Sequence, residues 1–513
     1  MQGPCGPGTS IGRVRGRGCV VSASVERSAR LLVRHDTASV LRAASGRAVV
    51  PADAKPACSG VGIAPECVSG VLCTTPAECA SASDEGIPYV YARPATNAAD
   101  MQVASGAVAL LTSAGGTTSH AAVLARSWEK PSVVGAGFVL RGGGLELRGG
   151  GELRPGEWLT VCATTGTVWR GRLERYRDPD AHALVQALSD AAEVLRELPG
   201  PVVYANADTP AEVTRCVNLG AEGVGVARSE HMFFGERELP LLRTALWPAQ
   251  PDERGPALDS LGECLVAKCH ALMSGCAGKK LAVRLLDPPA HEFAPPERLE
   301  GLREHNPMMG VRGSRLGVLH PDLYRTQAQA VVRAHLELPP SRRSRLAVLL
   351  PFVTTGAETR ELRRALDLPE AAGVSVGAMI ETPEAVFRAA EISREVDYLS
   401  VGTNDLVQFC LAMSRDDVAS SLLPAYLAGG MLEDDPMAHL DRSEGAMGLI
   451  GVLSRLVEGK PWGVCGEHAA DPSSLAAVLR HRPAFVSVSA SGVVPTRIEL
   501  GRHRARIVLH GLE

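Results

Sequence analysis

From Pro201 onward the chain repeats one pattern eight times: a short continuous apolar run, then a helical stretch. The runs are Val202–Ala205, Gly223–Ala227, Leu281–Leu285, Leu346–Leu350, Val376–Ile380, Tyr398–Val401, Trp462–Val464 and Phe485–Val488. Apolar runs without alternation belong to parallel strands buried on both faces. Eight of them over roughly 300 residues predict a (β/α)8 barrel. The competing arrangement, an open doubly wound sheet, calls for a G-x-G-x-x-G turn after a strand, and no run is followed by one. A barrel also places its chemistry at the C-terminal ends of its strands. Arg228 follows the second run, Arg284 lies within the third, Glu381 follows the fifth, Gly402-Thr403-Asn404-Asp405 follows the sixth, and Cys465 closes the seventh.

The segment before the barrel reads differently. From Ala57 to Gly171, short β-like runs broken by glycine predict a compact β/α domain, so the chain as a whole is α/β. Within it stands Gly115-Gly116-Thr117-Thr118-Ser119-His120, leading into an Ala- and Leu-rich turn. A helix N-terminus with free N–H groups favours a phosphate, and a neutral imidazole can take up a phosphoryl group covalently. His120 is therefore read as a phosphohistidine, the alternative being a capped structural histidine. Residues 172–200 carry Leu184, Leu188, Ala191, Leu195 and Leu198 near helical spacing and end at Pro199-Gly200, which predicts a helical linker. The barrel then spans 201–513. Residues 1–56 hold many arginines and few acids. They are expected to be a linker or the remnant of an upstream region, possible disorder included, and their first 35 residues share the composition of an organellar targeting segment.

Arg228 and Arg284 present forked donors suited to phosphate oxygens, and at a barrel rim beside acids they point to anion binding rather than to surface ion pairs. Glu381 and Asp405 offer hard oxygens that suit Mg²⁺ shared with a substrate phosphate. Asn404 and the backbone around Gly402 and Thr403 can grip a carboxylate. Cys465 is either a proton-exchanging thiol or a small hydrophobe. Glu467 and His468 are expected to orient its loop, and Arg312, Arg315 and Arg415 either add positive charge or serve structure.

Composition narrows the partners. A formal net charge of −4 gives no reason to expect nucleic acid, and no apolar stretch approaches the length of a membrane span. Thirteen cysteines without a C-x-x-C pair indicate neither a disulfide framework nor a zinc site, so a reducing, cytoplasmic setting is expected.

Taken together, these motifs resemble the phosphoenolpyruvate-utilising enzymes, and within them the pyruvate, phosphate dikinases, over about residues 57–500. Further segments carry the resemblance: Asn206-Ala207-Asp208-Thr209-Pro210, Arg228 to Phe234, Arg284 to Pro289 with His291-Glu292-Phe293, Asn306 to Gly310, Ser414 to Val418 and Cys465-Gly466-Glu467-His468. The resemblance implies that His120 carries the phosphoryl group between two stations and that Arg228 and Arg284 bind the phosphate of phosphoenolpyruvate. Glu381 and Asp405 would hold Mg²⁺, Gly402, Thr403 and Asn404 would contact substrate, and Cys465 would protonate the enolate of pyruvate. Thr118 matches a residue phosphorylated for regulation in plant relatives. It also implies a homodimer. Full-length dikinases add an ATP-grasp region, for which this chain has no room, so a separate ATP-grasp chain or a phosphoacceptor protein is the expected partner. The alternatives are a phosphorelay protein like the sugar-transport enzyme I, or a ligand-binding fragment without turnover. The last strand departs from the family pattern: Phe485, Val488, Ala490 and Gly492 stand where a tyrosine and a Cys-Ser-Pro pattern are usual.

Overall fold

In the barrel half of the chain each apolar run becomes a strand, and the eight strands close on themselves. They are β14 (Val202–Asn206), β15 (Gly223–Arg228), β16 (Lys280–Arg284), β17 (Arg345–Leu350), β18 (Ser375–Ile380), β19 (Tyr398–Gly402), β20 (Trp462–Cys465) and β21 (Phe485–Val488). Every neighbouring pair is parallel, and β21 pairs back onto β14 from Val202↔Phe485 to Ala205↔Val488. The computed structural model describes residues 22–51, 54–95, 101–116, 121–122, 125, 128, 130–289, 292–295, 304, 306–418, 422–457 and 459–510. His120, with Thr117, Thr118 and Ser119, and also His291, lie outside the described residues.

Burial explains the apolar runs. Leu346, Val348 and Leu350 on β17, Val376, Ala378 and Ile380 on β18, and Leu399 and Val401 on β19 face the surrounding helices in one continuous core. Their neighbours of opposite parity, among them Ala347, Leu349 and Met379, fill the barrel interior with Tyr204, Tyr398 and Phe485. Short rim loops follow from capping. Thr209, Thr355 and Thr382 each accept a hydrogen bond from the backbone N–H three residues on, and Pro210 and Pro383 pre-set the first helical φ. Each of these helices therefore starts within six residues of the end of its strand. Asp208 and Glu381 sit immediately before two of these N-caps, which fixes them at the rim.

The N-terminal half opens with β1 (Arg47–Ala48), β2 (Cys58–Ser59), β3 (Val61–Ile63), β4 (Cys67–Cys73), β5 (Tyr89–Arg93), β6 (Ala109–Thr112) and β7 (Ser132–Val134). It continues with β8 (Phe138–Arg141), β9 (Gly144–Leu147), β10 (Glu152–Leu153), β11 (Trp158–Cys162), β12 (Thr167–Arg170) and β13 (Arg175–Tyr176). One eight-stranded sheet runs β2-β12-β11-β4-β5-β6-β7-β3, parallel from β4 to β7 and antiparallel elsewhere. The strands β8, β9 and β10 form a small antiparallel sheet, and β1 pairs with β13 as a two-stranded ribbon.

Two helices, Ala23–Arg34 and Thr37–Ala44, precede that ribbon. Ala29 and Leu32 of the first are buried with Leu188, Ala191, Ala192 and Leu195 of the linker helix (Pro179–Val194 and its C-cap) and with Ile498 and Ala505 of the C-terminal helix (Ala490–His510). The linker helix is thus packed along the barrel's last helix. No helix among the described residues is long and apolar enough to cross a membrane.

Candidate functional site

The rim residues expected from sequence fall at the C-terminal ends of five of the eight barrel strands. Arg228 closes β15, Arg284 closes β16, Glu381 follows β18, Gly402 closes β19 and Cys465 closes β20. A chain of alternating charges runs from Glu230 through Arg284 to Asp405. Arg284 Nη2 meets Glu230 Oε1 at 2.6 Å and its Nη1 meets Asp287 Oδ2 at 3.1 Å. Asp287 in turn holds Arg312 Nη2 at 2.7 Å, and Arg312 Nη1 reaches Asp405 Oδ2 at 3.0 Å. All five side chains are largely buried, so each charge is stabilised chiefly by its neighbours. Burial alone would raise the Asp287 carboxyl, but Arg284 and Arg312 outweigh it and hold the group below the usual carboxylate range. Burial likewise opposes the charge on Arg284, and Glu230, Asp287 and Glu381 overcome that and keep it firmly protonated.

Arg228 is held separately. Its backbone N–H and Nε donate to the two oxygens of Asp208 at 2.7 and 2.8 Å, Nη2 meets Asp208 Oδ2 at 2.6 Å, and the side chain as a whole is 42% exposed. Arg284 Nε and Ser229 Oγ are buried without a hydrogen-bond partner among the described residues. Such orphaned donors mark sites that a ligand can satisfy. Together the two arginines offer donors on adjacent strand ends, matched to a phosphate.

Glu381 Oε1 accepts from the Phe352 N–H at 2.8 Å. Burial, then repulsion from Asp405 and Asp287, pushes its carboxyl up to about 8 against the pull of Arg312 and Arg284. Gly402 leaves room for it: a Cβ there would stand 2.4 Å from Glu381 Oε2. Two hard carboxylates that repel each other in a buried site form a donor set suited to Mg²⁺. A second group of ligand-type atoms, from His439, Asp441 and Asp471, lies within 4.8 Å elsewhere. There Asp471 already caps the helix Pro472–Leu479 and accepts from Ser473 and Ser474.

Cys465 is 5% exposed. Ser400 Oγ donates to its sulfur at 3.3 Å, and its own S–H points to the Val401 carbonyl at 3.4 Å. Burial raises the thiol to about 12, so at neutral pH it carries its proton. Thr403 Oγ1 donates to the Cys465 carbonyl at 3.0 Å and contacts His468 Nδ1 at 3.0 Å, while the Glu467 N–H donates to Asn404 Oδ1 at 3.1 Å. Gly466 adopts φ +113°, and a Cβ there would strike Thr403 Oγ1 at 2.5 Å. The turn after β20 is thereby clamped to the turn after β19. Burial, then the charge of Arg415, pushes His468 down to about 4, so it clamps as a neutral ring.

Of the three arginines left open by sequence, Arg312 belongs to the charge chain. Arg315 donates to the Met309 and Gly310 carbonyls, and Arg415 pairs with Glu467 at 3.4 Å. Sequence reasoning assigned no role to Asp208, Glu230, Asp287 or Glu292. Burial, then Glu230, pushes the Glu292 carboxyl up to about 7 beside this cluster. The one available signal was that all four stand within the short segments that carry the resemblance, Glu230, Asp287 and Glu292 in those of the rim arginines and Asp208 in Asn206–Pro210. Of the four departures from the family pattern, Phe485 opens β21 and packs on Tyr204 and Tyr398 at the opposite end of the barrel, whereas Val488 closes β21 at the rim end and Ala490 and Gly492 open the helix that follows it.

Comparison with known proteins agrees with this layout. Residues 182–505 match the model described as "PEP-utilising enzyme, PEP-binding domain", and residues 88–166 match "PEP-utilising enzyme, mobile domain", PEP being phosphoenolpyruvate. Similar curated proteins include pyruvate, phosphate dikinase 1 (chloroplastic) of Arabidopsis thaliana, 31% identical over 88% of this chain and 50% of its own length. The pyruvate, phosphate dikinase of Rickettsia typhi is 33% identical over 78% of this chain and 48% of its own, and that of Rhizobium meliloti 31% identical over 89% and 54%. The chain spans about half the length of these relatives. With the greater part of its residues matched in this way, the chain belongs to the family of PEP-utilising enzymes.

Proposed function

We propose that this chain interconverts phosphoenolpyruvate and pyruvate at the barrel rim, with His120 carrying the phosphoryl group as a phosphohistidine. The observation that carries the reading is the convergence of Arg228, Arg284, Glu381, Gly402–Asp405 and Cys465 on the C-terminal ends of β15, β16, β18, β19 and β20, one rim of the barrel. Arg228 and Arg284 bind the phosphate; the buried, unpartnered Arg284 Nε is the donor that needs an acceptor. The N–H groups and side chain around Thr403 and Asn404, held by the Cys465–His468 turn, orient the carboxylate. The imidazole of His120 attacks phosphorus, the P–O bond to the enol oxygen breaks, and the electron pair stays on the enolate. The S–H of Cys465, protonated at neutral pH, then delivers its proton to the enolate carbon and gives pyruvate. Solvent restores the thiol proton. Glu381 and Asp405 are the residues that would hold Mg²⁺, which when bound supplies positive charge to the phosphate and the enolate oxygen.

ATP chemistry on the other side of the phosphohistidine is assigned to residues outside the two matched domains, on an ATP-grasp chain or region that meets His120 when the N-terminal domain turns about its linker. Mixing the chain with phosphoenolpyruvate and Mg²⁺ should release about one equivalent of pyruvate in a burst. An Arg284→Met variant that retains its fold should show no burst. A full burst from that variant would remove Arg284 from the reaction and overturn the reading.

A further inference from the structure

We propose that Cys67 and Cys162 form a redox modification site, a cross-strand dithiol that a small disulfide such as glutathione disulfide converts reversibly to an intramolecular disulfide. This does not rest on the phosphotransfer reading.

Cys67 opens β4 and Cys162 closes β11, and the two are direct partners in the antiparallel ladder. The Ala163 N–H donates to the Glu66 carbonyl at 2.8 Å, which bonds the flanking residues and leaves the Cys67/Cys162 pair between bonds. In that register Cα atoms approach to about 4.5 Å and side chains come closest. A disulfide spans Cα separations of roughly 4.4–6.8 Å, so the pair sits at the short edge of what a bridge accepts. The next pair on the same face, Ser69 and Thr160, meets side chain to side chain at 2.9 Å. Each thiol acts on the other: the Cys67 thiol beside it holds the Cys162 thiol low, and Cys162 with burial pushes Cys67 up.

Both thiols are buried, but at the end of the sheet, where strands fray. The turn 163–166 follows Cys162 directly. Here the sheet touches the ribbon to the linker helix. Thr164 donates to the Gly46 carbonyl at 2.8 Å, Arg175 to the Cys67 carbonyl at 3.3 Å, and Arg177 pairs with Glu66. Opening of this end lets the Cys162 thiolate attack one sulfur of the disulfide reagent, expelling one thiolate. The Cys67 thiolate then attacks Cys162 Sγ and expels the other. Two electrons pass to the reagent, and the two protons pass to its two thiols. A bridge at so short a spacing is readily reduced, so the dithiol prevails where glutathione is reduced and the bridge appears under oxidant.

The whole chain is equilibrated in buffers of graded reduced-to-oxidised glutathione ratio, alkylated, digested and mapped by mass spectrometry. A linked peptide pair carrying Cys67 and Cys162 is expected, reversed by dithiothreitol and retained in Cys79→Ser, which removes the thiol partner of Cys73 at the other end of β4. Free, alkylated Cys67 and Cys162 across the whole series would overturn the proposal. So would separate glutathione adducts on each, or a link that forms only in urea.

Discussion

Replacing Arg312 by leucine tests the charge chain at its centre. Leucine keeps the apolar stem but removes the guanidinium that holds Asp287 at 2.7 Å and Asp405 at 3.0 Å and lies 4.5 Å over the Phe352 ring. Taking one partner from a buried pair costs about 3–5 kcal/mol because the remaining charge stays buried and unpaired. Asp287 keeps Arg284 at 3.1 Å, which places the loss near the lower end, and the ring contact adds about 1 kcal/mol. The expected destabilisation is about 4 kcal/mol, or a fall in the thermal midpoint of roughly 8 °C for a barrel of this size. Asp405 and Glu381 are then left with less compensating charge, so Mg²⁺ should raise the midpoint of the variant by more than it raises the parent. Urea titrations followed by near-ultraviolet circular dichroism, with and without Mg²⁺, give both quantities. Arg312→Lys should recover less than half of the loss, since an ammonium cannot span both carboxylates. A loss below about 1 kcal/mol, or equal Mg²⁺ responses in parent and variant, would refute the reasoning.

Three further outcomes follow. Cys465→Ala should slow exchange of the methyl protons of pyruvate with deuterated solvent by about 10²–10⁴-fold, read by proton NMR, while phosphoenolpyruvate still binds; undiminished exchange would assign the proton to another group. Gly402→Ala should weaken Mg²⁺ binding by at least tenfold in calorimetry, because its Cβ would stand 2.4 Å from Glu381 Oε2; unchanged affinity would remove Glu381 from the metal site. At the barrel floor Lys280 lies 3.6 Å from the Tyr398 ring centroid, and burial pushes its ammonium down to about 8. The unfolded chain keeps that proton to about 10.4, so unfolding takes up a proton between these limits and stability should rise with pH across them, by at most about 3 kcal/mol before the aromatic rings offset part of it. Lys280→Met should abolish that rise, and parallel pH profiles for parent and variant would contradict it.

The barrel was legible because burial on both faces writes itself as continuous apolar runs, and the eight runs coincide with β14–β21 to within about a residue at most ends. The rim positions followed, since a residue just past such a run has one place to be. What the sequence did not disclose is which charge neutralises which. Asp287 and Arg312 are 25 residues apart, Arg312 and Asp405 far more, and only folding joins them. The helices at 23–34 and 37–44 were hidden for another reason. They lie in a stretch, residues 1–56, where arginines outnumber acidic residues, while the packing rests on small or single apolar residues such as Ala29 and Leu32. The same holds for Cys67 and Cys162, whose pairing depends on a ladder register that no spacing along the chain reveals.

The central claim is that the rim passes a phosphoryl group from phosphoenolpyruvate to His120. Incubating the purified chain with phosphoenolpyruvate labelled with radioactive phosphorus and Mg²⁺ tests this directly. A phosphoenzyme is expected that is labile in acid and stable in base, maps to the peptide containing residues 115–126, and vanishes in His120→Ala. Label that is acid-stable, or that persists at the same level in His120→Ala, would contradict it.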